Sequence, residues 1–520
     1  MFYNYYLCGV IKNHMEEVST KPGKGFFHFI EKTGNALPHP AILFALFAAG
    51  TLILSTVGWL LGWSGIHPVT GEQVDTVNLI SRDGIHRIIL EMVTNYTGFA
   101  PLGIVMVALL GIGVAETSGL IRAAINAMLA KTSANSITFM VIFTAIISNV
   151  ASDLGYILII PLAGVIFHSA GRNPIAGMSA AFAGVSGGFS ANIIIGTIDP
   201  LLAGLSTEAA NIIDPNYYVL PTANYYFMAV STFLIVIAGM VVTVRWIEPR
   251  LGKYTGDVER EIISQPDALE KKGLKRAGLV FLGWFVLFAI GLVPENGILR
   301  GDDGSVLQSP VLRGFISLLF LMAGSAGIVY GYTVGKFKKA EDVITGMNDS
   351  FKTLVTYLVL VFFAAQFVAW FRWSNIGLLM AINGAGALQS ANIGLIPLVI
   401  IFALFAAFLN LFIGSASAKW AIIGPVFIPI FMLLGYSPEL SQAVYRVGDS
   451  VTNIITPMMS YFALIIVYYQ KYDKKAGIGT IMACMIPYSI AFFIGWMILL
   501  IGWIMLEIPL GPGSPLYYGM

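Results

Sequence analysis

Charge is the scarcest feature of this sequence. Of its 520 residues only 11% are Asp, Glu, Lys or Arg, against 57% hydrophobic residues. A soluble domain carries about a quarter of its residues charged. With a mean hydropathy of +0.80, this chain cannot cover a water-facing surface, and lipid is its expected solvent. Neither sign of charge dominates: the formal net charge is +1, which removes the electrostatic basis for a nucleic-acid partner. Cysteine is nearly absent, and Cys8 and Cys484 are too few and too distant for a disulfide framework or a metal site. No H-E-x-x-H, no Walker A loop and no G-x-G-x-x-G opening a helix is found, so no motif for ATP-driven work is present. The N-terminus also lacks a secretory signal, because the apolar stretch at 5–11 is short and Glu16, Glu17 and Lys21 follow without a cleavage site.

What the sequence does hold is a series of apolar runs of membrane-spanning length. They lie at about 41–63, 99–117, 224–246, 275–293, 311–331, 354–371 and 479–506. Two more, 137–169 and 395–434, are interrupted by polar residues near 148–155 and 410–419, and each reads as one broken span. Nine spans put the termini on opposite sides. With the N-terminus cytoplasmic, the outer segments hold only Arg82, Arg87, Arg172, Arg300 and Arg372, whereas the inner ones hold most of the lysines and arginines, as the positive-inside rule requires. A shift of 264 residues lays Pro161 on Pro425, Gly171 on Gly435, Pro174 on Pro438, Gly184 on Gly448 and Ser186 on Ser450. Each half then has four spans and a linking helix makes the count odd, so the second half is inverted, a pattern of secondary transporters.

The expected fold is an all-α polytopic membrane protein of about nine transmembrane helices plus two re-entrant helical hairpins, in two inverted structural repeats. Its parts are an N-terminal cytoplasmic segment (1–37), a first repeat (38–247) and a cytoplasmic loop with the linking helix (248–301). A second repeat (302–511) and a tail (512–520) complete it. The hairpins are expected where Gly/Ser-rich apolar stretches are too long for loops, at about 176–204 and 442–468.

Polar groups at membrane depth mark the candidate site. Freed carbonyls and Ser, Thr or Asn oxygens suit sodium, and half-helix N-termini suit anions. Asn149, Ser152, Asp153, Ser186 and Asn192 form one cluster. Asn410, Ser415, Ser417, Asp449, Thr452 and Asn453 form the other, with Pro457 following. Alternatively these small polar residues serve close helix packing. Asp199, Lys419, Arg446 and Asp449 are charges in apolar surroundings, each expected to face a cavity or a partner. Arg446 and Asp449, three apart, share a helical face. They are either an ion pair fixing the hairpin, or an arginine for a substrate carboxylate beside an aspartate for a cation or proton. Lys419 is placed to hold a substrate anion or to stand where a sodium ion would bind. Trp420 offers an aromatic face to a ring-bearing substrate, or packs in the core. Two other classes stay open: an ion channel with paired re-entrant hairpins, and an intramembrane hydrolase using Ser415 or Ser417 with Lys419.

At these residues the chain resembles the AbgT family, the p-aminobenzoyl-glutamate transporters. The matching stretches run from GNALPHP at 34–40, through FAPLG at 99–103, GVSGG at 184–188, IEPRLG at 247–252, NGILR at 296–300, AQFVA at 365–369 and GSASAKW at 414–420, to LGPG at 510–513. The resemblance implies a homodimer in the bacterial inner membrane and the transport of p-aminobenzoyl-glutamate or p-aminobenzoate-like aromatic carboxylates. For some relatives it implies export of sulfonamide antimetabolites, and the stretch at 448–457 is similar to that branch. It points to Asp199, Asn410, Ser417, Trp420, Pro438, Arg446 and Asp449. It implies a coupling ion, Na+ or H+, with no other cofactor and no enzymatic step.

Overall fold

In lipid a backbone amide finds no water, so an apolar run must pair its hydrogen bonds within itself, and a helix does so. The computed structural model obeys that constraint throughout. It describes residues 38–519 except 39, 67–70, 131–135, 152–154, 260–266, 303, 307–308, 457–458 and 460. Among these, the one sheet is a two-stranded antiparallel ribbon of β1 (Ser64–Ile66) and β2 (Gln73–Asp75). The first half contains α1 (Pro40–Leu60), α2 (Arg82–Thr97), α3 (Ala100–Thr117), α4 (Leu120–Ala130), α5 (Ile137–Ile147) and α6 (Ile160–Ser169). It ends with α7 (Pro174–Phe182), α8 (Ile198–Ala210), α9 (Tyr225–Val242) and α10 (Glu248–Leu251). The linking helix is α11 (Ala268–Leu292). The second half contains α12 (Pro310–Arg313), α13 (Phe315–Thr333), α14 (Ala340–Trp373), α15 (Ile376–Ser390), α16 (Leu395–Asn410), α17 (Ala416–Leu433), α18 (Pro438–Asn453), α19 (Phe462–Gln470) and α20 (Ile478–Met505).

Two apolar runs fold back on themselves. A straight helix over 137–169 would be about 50 Å long, yet Arg172, just beyond its end, donates to Thr138 Oγ1 at 2.7 Å. Helices α5 and α6 are therefore the legs of a hairpin, turned by a 3₁₀ segment at Ser148–Ala151 and a π-turn at Gly155–Ile159. Across the second interruption, the ring of Phe427 stacks on Phe402 at 4.2 Å and meets Phe405 at 5.4 Å. Such contacts need α16 and α17 to run antiparallel, so they form a second hairpin.

The Gly/Ser-rich stretches are the parts that cross. Asn173, the cap of α7, donates to the Gly252 carbonyl at 3.1 Å, at the far end of the continuous helix Tyr225–Leu251. The α7–α8 segment then finishes beside the start of that same helix, so it traverses. Ser437 at the head of α18 donates to the Leu516 carbonyl at 2.9 Å, beyond the end of α20. Gln470 at the foot of α19 reaches the Ala476 carbonyl, next to the start of α20. The expected roles are thus exchanged: 137–169 and 395–434 are the hairpins, and the stretches at 176–204 and 442–468 lie in broken spans. A helix that stops at mid-depth needs the same small and polar residues whether the chain then continues or returns. Length distinguishes the two, since 33 or 40 residues of helix overshoot a bilayer core of about 30 Å.

Nine crossings result among the described residues. Seven helices are long and apolar enough to cross, and with α17 set aside as a leg of the second hairpin six of them do: α1, α2–α3, α9–α10, α11, α13 and α20. The seventh crossing, α14, is bent by 52°, and α7–α8 and α18–α19 are the broken pair. The first hairpin opens on the face that holds Arg172, Glu248 and Gly252, called here the first face. The second opens on the opposite, second face, beside the C-terminal tail. The repeats are inverted. Arg172, salt-bridged to Glu248 at 2.7 Å, joins the lysine-rich face rather than the lysine-poor one.

Two close approaches hold this arrangement. A Cβ on Gly327 of α13 would lie 2.7 Å from the Ala115 backbone of α3, and one on Gly448 of α18 would overlap the Ala403 carbonyl of α16. Outward-facing residues such as Leu90, Ile290 and Ile498 are exposed and apolar, as a lipid-facing surface demands.

Cysteine labelling checks the exchange of roles. In a background free of Cys8 and Cys484, an impermeant maleimide is expected to reach Ala170→Cys and Lys253→Cys from one side of sealed vesicles. Asn216→Cys is expected to label only from the other side. Labelling of Ala170→Cys together with Asn216→Cys would restore 137–169 as a crossing segment.

Candidate functional site where the broken spans meet

The two broken spans touch at their interruptions. Ser190 N donates to Ser450 Oγ at 3.1 Å, Asn453 Nδ2 reaches the Ser186 carbonyl at 3.4 Å, and Ser186 Oγ lies 3.1 Å from the Met459 sulfur. Each hairpin tip plugs one interruption. From the first, the Ile146 carbonyl accepts from Asn192 Nδ2 at 3.2 Å. From the second, Asn410 Nδ2 faces the Asp449 carbonyl at 2.6 Å, Asn453 Oδ1 at 2.8 Å and Thr452 Oγ1 at 2.9 Å. Thr456 Oγ1 donates to the Leu411 carbonyl at 3.0 Å. Backbone and side-chain groups released by the breaks thus pair with the tips, the condition for irregular chain at this depth.

Four buried charges form two pairs around this crossing. Lys419 Nζ lies 2.6 Å from Asp449 Oδ1, with neither side chain more than 1% exposed. The same ammonium donates to the Ile413 carbonyl at 3.0 Å and to Asn410 Oδ1. Arg446 Nη2 lies 2.5 Å from Asp199 Oδ1. Asp199 is held in place by Gly196 N, which donates to its Oδ2 at 2.7 Å. Arg446 and Asp449 do share a face of α18, but they do not pair with each other. Arg446 turns to α8 and Asp449 to α17, because pairing them with each other would leave Asp199 and Lys419 buried without a partner charge, which is the costly outcome.

The other candidates fall into three groups. Trp420 is fully buried, its ring stacked on Tyr445 at 4.5 Å and its Nε1 donating to Ser206 Oγ at 2.9 Å. Ser415 caps α17 by accepting from Ala418 N at 3.3 Å, with Ser417 Oγ 3.4 Å away. Asn149, near the tip of the first hairpin, is buried, and among the described residues neither of its amide atoms has a partner. Pro438 does not join the centre. It begins α18 eight residues before Arg446, roughly 12 Å along the axis. There it adjoins Glu439, which accepts from the Tyr217 hydroxyl at 2.9 Å. A cavity of about 560 Å³ opens at that end, lined by Asp214, Arg313, Glu439 and Gly513 among others. Burial, and then Glu439, push the Tyr217 phenol above its ordinary range, so it remains a donor. Ser152, Asp153 and Pro457 lie outside the described residues.

Several groups at the site were not singled out from sequence. Tyr445 donates to the Ala416 carbonyl at 2.5 Å and touches Asp449 Oδ1 at 3.2 Å. Ser206 Oγ donates to Gln442 Oε1 at 2.8 Å, beneath Trp420. The signal was a stripe along α18: Glu439, Gln442, Arg446, Asp449 and Asn453 recur at three- and four-residue steps, and all are buried. Chemically, the centre offers two neutral ion pairs and a stacked aromatic couple. An ionic, ring-bearing ligand could part all three.

Comparison with known proteins places the whole chain. The model of the AbgT putative transporter family matches residues 25–518. The p-aminobenzoyl-glutamate transport protein of Escherichia coli (strain K12) is 35% identical over 496 residues, covering 95% of this chain and 97% of that one. The structure of the Alcanivorax borkumensis YdaH transporter, described as having an unusual topology, superimposes with a TM-score of 0.87 at 45% identity, covering 91% of this chain and 100% of that one. Neisseria gonorrhoeae MtrF, described as illuminating a class of antimetabolite efflux pumps, superimposes with a TM-score of 0.89 at 49% identity, covering 94% and 100%.

The Arg446–Asp199 pair is open to a thermodynamic check. Arg446→Ala strands a buried carboxylate, which costs about 3–5 kcal/mol. In thermal unfolding of the detergent-solubilised protein, the double variant Asp199→Asn, Arg446→Gln is expected to melt above Arg446→Ala. Losses in the double variant that equal the sum of those in Asp199→Asn and Arg446→Gln measured singly would show that the two groups are uncoupled.

Proposed function

Because the chain belongs to the AbgT putative transporter family, we propose that it is an ion-coupled secondary transporter of small aromatic carboxylates of the p-aminobenzoate and p-aminobenzoyl-glutamate type. Family membership makes it a multi-pass membrane transporter and not an enzyme. The substrate class rests on the Escherichia coli relative. Export of sulfonamide antimetabolites, which share a para-substituted aniline ring with p-aminobenzoate, is proposed from the likeness to MtrF.

One observation carries the reading: buried, mutually neutralising charges sit where two broken spans and two hairpin tips converge. Charges in such a place are costly unless paired, and an ionic substrate can exchange for one partner of a pair. Arg446 is the group for the substrate carboxylate. Among the described residues its Nε has no partner, and Asp199 occupies the position that a substrate carboxylate would take. Trp420 receives the aromatic ring when Tyr445 moves off its face. A freed Asp199 takes Na+ or H+, or Asp449 takes H+, with oxygens of Asn149, Ser186, Asn410, Thr452 and Asn453 within the same region. The first face is assigned to the cytoplasm, since Lys253, Lys271, Lys272, Lys336, Lys338 and Lys474 lie there, while Arg82, Arg87, Arg300 and Arg372 lie on the second. The N-terminus is then cytoplasmic, in a bacterial inner membrane, and the functional unit is a homodimer.

The test is transport by the purified protein in proteoliposomes, with sodium and pH gradients imposed separately. Labelled p-aminobenzoate or p-aminobenzoyl-glutamate is expected to move saturably down one imposed gradient, with at least a roughly tenfold loss, about 1.4 kcal/mol, in Arg446→Ala and Asp449→Ala. Conductive, non-saturable flux would replace the transporter by a channel. Failure of both compounds to move under either gradient would remove the substrate assignment.

A further inference from the structure

Lys419 is the one buried charge at the centre whose donors all find oxygen. An ammonium has three N–H groups. Here they meet Asp449 Oδ1 at 2.6 Å, the Ile413 carbonyl at 3.0 Å and Asn410 Oδ1. The set consists of a carboxylate, an amide oxygen and a main-chain carbonyl, and it surrounds a side chain with no exposure at all. The Ile413 carbonyl is available because the chain leaves the helix between α16 and α17. A substrate-binding lysine would point at least one donor toward a cavity, and this one points none. Carboxylate, carbonyl and amide oxygens converging at an interrupted helix are what a hard cation such as sodium binds.

We propose that Lys419 is a tethered cation: its ammonium occupies a monovalent-cation site built by Asn410, Ile413 and Asp449, and so keeps sodium out of that site. Charge balance requires an occupant. Without the ammonium, Asp449 would be a buried carboxylate facing the Asn410 and Ile413 oxygens, with no positive group in contact. Arg446 is engaged with Asp199 on α8, and neither α15 nor α16 carries a charged residue. Shortening residue 419 to alanine therefore opens both the space and the electrostatic demand for a free cation. Lys419 thereby becomes a determinant of ion specificity. The inference rests on the ion-coupled reading for its consequence in transport, but not for the site itself.

The site is tested without any substrate. Purified Lys419→Ala in detergent is expected to melt at a higher temperature in sodium chloride than in choline chloride of equal ionic strength, with a sodium-dependent rise that follows binding linkage. In the wild-type protein, Asp449→Asn is expected to remove no sodium-dependent shift, because the ammonium already fills that site. Adding Asp449→Asn to Lys419→Ala should abolish the sodium effect. A folded Lys419→Ala that ignores sodium overturns the proposal. So does a wild-type protein that sodium stabilises over choline through a shift lost in Asp449→Asn, a measurement that stands even if Lys419→Ala does not fold. In proteoliposomes, transport by Lys419→Ala should gain a dependence on sodium beyond any that the wild type shows. Sodium-sensitive melting without transport of p-aminobenzoate leaves the tethered cation standing and removes only the substrate assignment.

Discussion

A charge that has left water must find its opposite, and in this molecule that rule fixes the middle of the fold. Two positive and two negative side chains lie buried at the centre, and each positive one touches a negative one. Taking such ions out of water costs several kcal/mol each, so the pairs add little net stability, but losing one partner is severe. What they supply is register. Asp199 on α8 and Lys419 on α17 both engage α18, so that helix cannot rotate or slide without separating one pair or the other. Helix α18 is also the polar element of the membrane region, with Glu439, Gln442, Arg446, Asp449 and Asn453 along one stripe. Its position ties the first repeat to the second.

The interrupted helices follow from the same scarcity of water. A span that stops at mid-depth releases several amides and carbonyls at each new end. Here a hairpin tip from the same half fills each break, and the side chains that stitch them are asparagines. Asn192 reaches the first tip, while Asn410 reaches out from the second. Asparagine suits this place because its amide both donates and accepts without carrying a charge. The small residues nearby serve approach rather than polarity. Gly448 lets α18 lie against the Ala403 carbonyl, which brings Asp449 within reach of the second tip.

Much of this was legible in the sequence, and the failures share a cause. Apolar length located several long helices to within a few residues, as at 41–63 for α1 and 99–117 for α3, but it missed α2 and the charged first turns of α11 and α14. The charges Asp199, Lys419, Arg446 and Asp449 stood out because apolar runs tolerate few of them. Helical spacing then suggested Arg446 with Asp449, since one-dimensional spacing sees only neighbours on the same helix. The partners actually chosen are 247 residues away for Arg446 and 30 for Asp449, and no local pattern reports them. The hairpins were misplaced for a related reason. Hydropathy records where a helix loses its apolar character, not the direction the chain takes afterwards. Arg172 held the missing information: with 137–169 as a crossing span it counted among the few positive residues outside, whereas as a hairpin end it meets Glu248.

The inverted repeats give the two hairpin tips related positions, but not related chemistry. At the second tip Asn410 is saturated, with its amide nitrogen among three oxygens and its carbonyl oxygen on Lys419. At the first, Asn149 is also buried, and among the described residues neither of its amide atoms has a partner. An unsatisfied buried amide costs about 1–3 kcal/mol per group, so the tips differ in energy by an amount comparable to a conformational bias. An alternating-access cycle exchanges the roles of two inverted repeats. If the repeats were chemically identical, its two end states would be equally stable. Different polar satisfaction at the tips removes that degeneracy. In this structure the ammonium of Lys419 lies at the second tip, whereas Asn149 at the first finds no partner among the described residues. A ligand that satisfies Asn149 would favour whichever state exposes the first tip, and anything that displaces Lys419 would favour the state in which the second tip opens. The sequence difference between the two related halves, rather than their similarity, is what sets the chemistry of the two tips apart.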